Sequence, residues 1–125
     1  MLFDTDVLIW CFRGNAKAAR LVELARSRSL SVVSYLELLQ GARDRSDLRN
    51  IQSFLSEFEF GTAALSEAIG HRAAVYMEEY ALSVGLCVAD ALIAATAVEN
   101  AETLATGNTK HFSVVGDLSI LEFRP

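Results

Sequence analysis

Short apolar runs and longer segments with helical spacing alternate along the whole chain. The runs predict buried strands at 2–3, 30–33, 104–106 and 119–123, and residues 58–61 predict one more short strand. Between them, apolar side chains recur at the spacing of a helix face. These positions are Ala18, Leu21, Val22 and Ala25, then Leu48, Ile51, Leu55 and Phe58, and then Ile69, Ala73, Tyr76 and Tyr80. The alternation predicts a single domain, residues 1–125, with a three-layer α/β/α fold and a central parallel sheet of four to five strands.

Polar motifs mark where several of the predicted helices begin. Asp4-Thr5-Asp6 follows the first predicted strand and precedes the first helix. Ser34-Tyr35-Leu36-Glu37 has the S-x-x-E form of a capping box, which predicts the start of another helix. Asp90 opens a helix of small residues that runs to Ala97. The charged segment 43–47 predicts an exposed turn.

The composition is that of an ordered protein with a surplus of apolar residues. Of the 125 residues, 52% are hydrophobic, the mean hydropathy is +0.29, and the single proline is Pro125. A disordered tail or linker has few apolar residues and many charged ones, so this class is excluded. Surplus apolar surface is usually covered by a partner, and we therefore expect a dimer or a complex with another protein.

The sequence contains no signal for membrane insertion or secretion. The longest apolar stretch, 86–98, contains Asp90 and is shorter than the roughly 20 residues that cross a bilayer. Asp4 and Asp6 stand where a signal peptide would be positively charged. We therefore expect a cytoplasmic protein without a membrane partner.

Cysteine and histidine form no recognisable motif in this chain. Cys11 and Cys87 are too few for a disulfide framework, and together with His71 and His111 they lack the close pairing of zinc ligands. Free cysteine is frequently a core residue, so we expect both thiols to be buried.

Positive charge is concentrated in the first part of the chain. The net charge is −5, which argues against indiscriminate binding to nucleic acid. Residues 1–50 nevertheless hold eight of the eleven Lys and Arg against six Asp and Glu, whereas residues 51–125 hold three against ten. The eight are Arg13, Lys17, Arg20, Arg26, Arg28, Arg43, Arg45 and Arg49. Some of them could hold a phosphate backbone beside an acidic site, or they could simply be solvated helix faces.

Four acidic or amide side chains lie where an apolar run stops and the next segment begins. They are Asp4, Glu37, Asp90 and Asn108. In an open parallel sheet such positions lie along one edge, so we expect the four side chains to converge. Carboxylates about 4 Å apart repel each other by about 4 kcal/mol at an effective dielectric constant near 20, and a hard cation such as Mg²⁺ or Mn²⁺ relieves this repulsion. Such an ion can activate water and neutralise the charge that builds on phosphorus during an in-line displacement.

Each acid could instead have a local structural role. Asp6 could cap the first helix, Glu37 could close the capping box with Ser34, and Asp90 could be an N-cap residue. A cap needs only one local acid, however, whereas a metal site needs several acids that converge. The coincidence of all four positions therefore favours the metal site, and no Ser/His/Asp set, Walker loop or Rossmann glycine pattern offers a competing chemistry.

The same residues resemble the four motifs of the PIN-domain family. Residues 2–9, LFDTDVLI, resemble the opening D-T-N-V-L-I stretch, and residues 34–41, SYLELLQG, resemble S-x-x-E-L-x-x-G. Residues 90–97, DALIAATA, resemble D-x-L-I-A-A-T-A. Residues 104–108, LATGN, followed by His111-Phe112, resemble the fourth motif, in which T-x-[DN] precedes a phenylalanine. The likeness extends over nearly the whole chain, with the motifs in the family's order.

This resemblance implies an endoribonuclease similar to the VapC-type toxins of type II toxin–antitoxin systems. The implied catalytic residues are Asp4, Glu37, Asp90 and Asn108. The three acids among them would bind Mg²⁺ or Mn²⁺, and the implied nearby supports are Thr5, Asp6 and Thr106. The resemblance also implies an RNA substrate, a homodimer, and a cognate antitoxin that covers the active site.

Two positions depart from the family pattern. Asp6 stands where the family more often has Asn, which adds charge beside Asp4. Asn108 is neutral where many relatives have Asp, although an amide oxygen can still bind a metal ion or orient water. The second departure weakens any argument for a tightly held second metal ion.

Three alternatives remain at the level of the sequence. A response-regulator receiver has a similar length, and Lys110 could imitate its lysine, but residues 58–61 offer no phosphoacceptor Asp. A haloacid-dehalogenase-type phosphatase begins with D-x-D, but Asp4-Thr5-Asp6-Val7 lacks the Gly and Thr that should follow. The third alternative is a PIN fold without catalytic activity that only binds a partner.

Overall fold

The protein consists of a five-stranded parallel sheet with helices on both faces. The computed structural model describes residues 1–125. The strands are β1 (Leu2–Phe3), β2 (Ser29–Ser31), β3 (Gly61–Ala63), β4 (Leu104–Thr106) and β5 (Ile120–Glu122). The helices are α1 (Thr5–Phe12), α2 (Ala16–Leu24), α3 (Val32–Gln40), α4 (Arg45–Glu57), α5 (Glu67–Val84), α6 (Val88–Glu99) and α7 (Thr109–Phe112). All neighbouring strands are parallel, which confirms the predicted α/β fold.

The two central strands supply side chains to two separate cores. Leu2 and Leu104 belong to the core under α5 and α6, whereas Phe3 and Ala105 belong to the core under α1, α2 and α4. All four side chains are fully buried. Successive side chains of a strand point to opposite faces, so each of these short strands contributes to both cores. The result is the three-layer arrangement that the sequence pattern predicts.

The strand order places β1 and β4 side by side in the middle of the sheet. The order is β3-β2-β1-β4-β5, so the chain runs outward from β1 to β3 and then returns to continue in the other direction from β4. In open parallel sheets, ligands bind at the carboxyl ends of the strands where the order reverses in this way. Asp4 and Gly107 directly follow β1 and β4, so they lie at this position.

Helix α3 begins three residues earlier than the capping-box prediction places it. Its N-cap is Ser31, whose Oγ accepts a hydrogen bond from the Val33 amide at 3.1 Å. Ser34 and Glu37 therefore lie inside the helix, and the prediction that they form a capping box is wrong. The β-branched pair Val32 and Val33 favours a strand by its propensity, but the serine side chain ends the strand before them.

Other element boundaries differ by a few residues. The third strand occupies Gly61–Ala63 rather than 58–61, because α4 continues through Glu57 and the chain turns before pairing with β2. In the segment 43–47, α4 already begins at Arg45, with Asp44 Oδ1 accepting from the Asp47 amide at 2.8 Å.

The two cysteines are less buried than expected. Cys11 is partly exposed on α1, and Cys87 is exposed at the N-cap position of α6. The prediction of two buried thiols is therefore wrong. Cys11 shares the face of Val7 and packs at the edge of the core under α1, α2 and α4, whereas Cys87 precedes the first turn of α6.

None of the helices combines the length and the apolar character needed to cross a membrane. The longest helix, α5, has 18 residues and is amphipathic rather than uniformly apolar. Its buried side chains, Ile69, Ala73 and Tyr76, face α6 and the sheet.

We predict that Asn15→Ala destabilises the protein, because Asn15 caps α2. Its Oδ1 accepts from the Ala18 amide at 2.9 Å, and loss of such a cap typically lowers the free energy of unfolding by about 1 kcal/mol. Urea denaturation followed by circular dichroism measures this change. Asn100→Ala is a matched control, because Asn100 is exposed, follows α6 and caps no helix N-terminus. Equal losses in the two variants would contradict the assigned role of Asn15.

Candidate active site

The carboxyl ends of β1 and β4 bring Asp4 and Thr106 into direct contact. Thr106 Oγ1 donates to Asp4 Oδ2 at 2.7 Å, and the Thr5 amide donates to Asp4 Oδ1 at 2.8 Å. Asp4 is only 6% exposed and is the N-cap of α1, a role that the sequence analysis considered for Asp6. Both carboxylate oxygens are therefore held at the junction of the two central strands.

Asp6 projects from the first turn of α1 towards the loop after β4. Its Oδ2 accepts from the Gly107 amide at 2.9 Å, while its Oδ1 is buried and has no hydrogen-bond partner. A Cβ atom at position 107 would lie 2.8 Å from Asp6 Oδ2 and 3.2 Å from the Phe123 carbonyl oxygen, so this contact requires glycine. A buried carboxylate oxygen without a partner is costly, and a bound cation would satisfy it.

Burial and mutual repulsion disfavour the charged forms of Asp4 and Asp6. Burial and, after it, the neighbouring charge of Asp6 raise the pKa of Asp4 to about 7, against the opposing effect of the hydrogen bonds from Thr106 and Thr5. Burial also raises the pKa of Asp6. The charge of Asp90 contributes to both increases, which shows that the three carboxylates share one electrostatic environment.

Asp90, His111 and Asn108 form the side of the site next to β4. Asp90 lies in the first turn of α6 but is not its N-cap residue, because that position is occupied by Cys87. Asp90 Oδ2 is 3.4 Å from His111 Nδ1, and the same nitrogen is 3.2 Å from Asn108 Nδ2. The backbone N–H of Asn108 donates to Thr106 Oγ1 at 3.0 Å. Asp90, His111 and Asn108 are therefore connected to Asp4 through Thr106.

Glu37 reaches the site from α3 and contacts Thr5. Thr5 Oγ1 lies 2.8 Å from Glu37 Oε1 and 2.9 Å from Ser34 Oγ. Thr5 has one hydroxyl hydrogen, so donation to the carboxylate leaves Ser34 as the donor to Thr5. Ser34 and Glu37 lie on one face of α3 because they are three residues apart. The S-x-x-E spacing therefore serves a contact with α1 rather than a helix cap.

All seven residues predicted for the site lie in this chain of contacts. They are Asp4, Thr5, Asp6, Glu37, Asp90, Thr106 and Asn108. No three His, Cys, Asp or Glu side chains are grouped closely enough to form a ready metal site. The predicted metal ligands thus share one region without forming a complete coordination sphere.

The sequence analysis missed two members of this group, Ser34 and His111. Ser34 is fully buried, and its only assigned role was the capping box. His111 is three residues after Asn108, which places both on one side of the single turn of α7. This spacing and the place of His111 in the fourth motif were the available signals, whereas its contact with Asp90 joins residues 21 positions apart.

A groove of about 640 Å³ lies beside Glu37, between α1, α3 and the start of α4. The groove is lined by Ile9, Phe12, Arg13, Glu37, Leu38, Gly41, Ala42, Arg43, Asp47, Asn50 and Ile51. Arg13 and Arg43 are therefore the two basic side chains that line the groove beside Glu37. Arg28 has a structural role instead, because its guanidinium donates to the carbonyl oxygens of Val22, Glu23 and Phe58.

We predict that, without divalent metal, wild type loses stability relative to Asp4→Asn as the pH rises. The pKa of Asp4 is about 7 in the folded chain against an ordinary value of 3.8, so between these values the folded state keeps a proton that the unfolded state releases. The stabilising effect of that proton is complete below the unfolded pKa and disappears as the pH passes the folded pKa. The neutral Asn side chain has no such dependence.

Urea denaturation in EDTA at several pH values measures this effect. The difference in free energy of unfolding between wild type and Asp4→Asn should change by at most about 1.4 kcal/mol per pH unit between the unfolded and folded pKa values of Asp4. A difference that stays constant with pH would contradict the raised pKa. Addition of Mg²⁺ or Mn²⁺ at the alkaline end should stabilise wild type more than the variant, because a cation favours the ionised carboxylate.

Comparisons with known proteins agree with the fold. A model of the PIN domain family matches residues 1–118, and no protein with a curated function matches the sequence. Among solved structures, the chain is similar to a toxin–antitoxin complex from Klebsiella pneumoniae, with 28% identity, a TM-score of 0.81 and 98% of each chain covered.

Two more distant structures share the fold. VapBC2 from Rickettsia felis, bound to a DNA fragment from its promoter, has 19% identity and a TM-score of 0.83, with 98% of each chain covered. FitAcB from Neisseria gonorrhoeae has 22% identity and a TM-score of 0.76, with 97% of this chain and 96% of that chain covered.

The family match includes every residue of the candidate site, from Asp4 to His111. It also includes the elements that position those residues, β1, α1, α3, α6, β4 and α7. The receiver and phosphatase alternatives are therefore set aside, and this protein belongs to the PIN domain family.

Proposed function

We propose that this protein is a metal-dependent endoribonuclease and the toxin of a type II toxin–antitoxin pair. The observation that carries the proposal is the series of contacts that links Asp4, Glu37 and Asp90 in a protein of the PIN family. The similarity to a toxin–antitoxin complex supports the toxin role. The substrate is RNA, which the protein would meet in the cytoplasm.

The donor set fits Mg²⁺ or Mn²⁺. Asp4, Asp90 and Glu37 would hold the ion through carboxylate oxygens, and Asn108 would take the place of a fourth acid. Two observations support this fit: the buried Asp6 Oδ1 lacks a partner, and burial raises the pKa of Asp4. When bound, the ion would supply a reactive water at neutral pH and neutralise charge on the phosphorus.

The surrounding side chains position these acids. Thr106 and the Thr5 amide fix the Asp4 carboxylate, and the Thr5 hydroxyl fixes Glu37. These contacts limit the rotamers of the acids before any substrate arrives, which reduces the reorganisation needed during the reaction. Their hydrogen bonds also favour the ionised carboxylates that a cation requires.

The groove beside Glu37 is the proposed entry for RNA and the place where an antitoxin blocks it. Arg13 and Arg43 can contact phosphates next to the acidic group. Ile9 and Phe12 line the same groove and are 36% and 39% exposed, so a protein partner can cover apolar surface there. Blocking the groove would separate RNA from Glu37.

We predict that Asp90→Asn and Glu37→Gln fold normally but cleave RNA at a rate reduced by about a hundredfold or more, because each loses a charge at the reacting centre. Glu37 caps no helix, so its replacement carries no capping cost. Cleavage of labelled RNA with Mg²⁺ or Mn²⁺ measures activity, and circular dichroism measures folding. Asp117→Asn is the matched control, because Asp117 contacts Arg72 and Tyr76 outside the site.

Cleavage at the parental rate by Asp90→Asn would rule out its assigned role. Absence of cleavage by wild type with either ion would favour the alternative, a PIN fold that only binds a partner. The toxin role is tested separately in cells, where induction of wild type should arrest growth and induction of Asp4→Ala should not.

We also predict that the isolated chain forms a homodimer. Several large apolar side chains are exposed and need a covering surface, among them Leu24, Leu36, Leu82 and Val88. Light scattering at high protein concentration should give twice the 13.6 kDa mass of one chain. A monomer under these conditions would contradict the proposed dimer without affecting the nuclease assignment.

A further inference from the structure

One ring nitrogen of His111 faces two side chains of the acidic group. Nδ1 is 3.4 Å from Asp90 Oδ2 and 3.2 Å from Asn108 Nδ2. The nitrogen thus lies beside a carboxylate oxygen that is one of the proposed metal ligands.

A divalent cation can bind an imidazole nitrogen and a carboxylate oxygen at the same time. Donor atoms about 2.1 Å from an octahedral ion lie about 3 Å apart when they occupy adjacent positions. The separation of 3.4 Å between His111 Nδ1 and Asp90 Oδ2 is close to that value. The His111 side chain is 35% exposed, so an ion from solvent can reach the pair.

The backbone around His111 fixes the ring at this position. The next residue, Phe112, is fully buried in the core under α5 and α6. The backbone N–H of Asn108, one turn earlier, donates to Thr106 Oγ1, and the Thr106 hydroxyl donates to Asp4. His111 is therefore carried by a segment anchored both in the core and at the acidic group.

We infer that His111 Nδ1 is a metal ligand together with Asp90, and that it biases the site towards Mn²⁺ and other transition-metal ions over Mg²⁺. This inference rests on the proposed metal-dependent nuclease and specifies its metal preference. Mg²⁺ is bound almost entirely by oxygen donors, whereas first-row transition-metal ions accept imidazole nitrogen. An imidazole among carboxylates therefore favours the transition-metal ion.

Mn²⁺ is a suitable probe because it is paramagnetic and binds both donor types. Electron spin echo measurements on the full-length protein with Mn²⁺ should show modulation from an imidazole nitrogen. The chain has two histidines, so His71→Gln leaves His111 as the only one and is the matched control. His71→Gln should keep the nitrogen modulation, and His111→Glu should lose it.

Metal affinity provides a second readout. Competition titrations should give a ratio of Mg²⁺ to Mn²⁺ dissociation constants that falls about tenfold in His111→Glu, which restores an oxygen donor, and is unchanged in His71→Gln. If His111→Glu does not fold, the nitrogen modulation in wild type and His71→Gln decides the question alone. Its presence supports ligation by His111, and its absence from Mn²⁺-loaded protein overturns it.

The failures of the two proposals are distinguishable. Mn²⁺ that binds wild type without nitrogen modulation would overturn the role of His111 and leave the acidic metal site intact. Failure of wild type to bind either ion would overturn both the metal dependence and the role of His111.

Discussion

The burial of one carboxylate between the two central strands is the constraint on which the site depends. Asp4 ends β1, caps α1 and accepts a hydrogen bond from Thr106 at the end of β4. Its position is therefore set by the backbone of the sheet, and its charge is disfavoured by the burial that this position causes. The fold and the raised pKa of this carboxylate have the same origin.

The other acids reach this point from different elements. Asp6 comes from α1, Glu37 from α3 and Asp90 from α6, and they contact the Gly107 amide, the Thr5 hydroxyl and His111 respectively. Helices α1 and α3 directly follow parallel strands and therefore begin at the same edge of the sheet, whereas α6 follows α5. The fold thus brings acids that are distant in sequence to one region, which the proposed activity uses.

The sequence predicted the layers of the fold and the region of the candidate site better than the contacts between the residues of that site. Strand β4 and the acids after β1 and in α6 were predictable, because buried runs with polar ends have few alternative structures. The start of α3 was not, because Val32 and Val33 favour a strand and only the Ser31 side chain ends it. The contacts of Ser34 and His111 were not either, since they join residues 29 and 21 positions apart and depend on packing between helices.

The contact between Gly107 and Asp6 leaves room for a hydrogen atom and nothing larger. A residue with no reactive group thereby sets how near the first turn of α1 can approach the loop beyond β4. A bulkier residue there would displace the Asp6 carboxylate or the turn that carries it, and the hydrogen bond from the amide of residue 107 would be lost. Glycine at this place is consequently a condition for the close approach of the second aspartate to the end of β4.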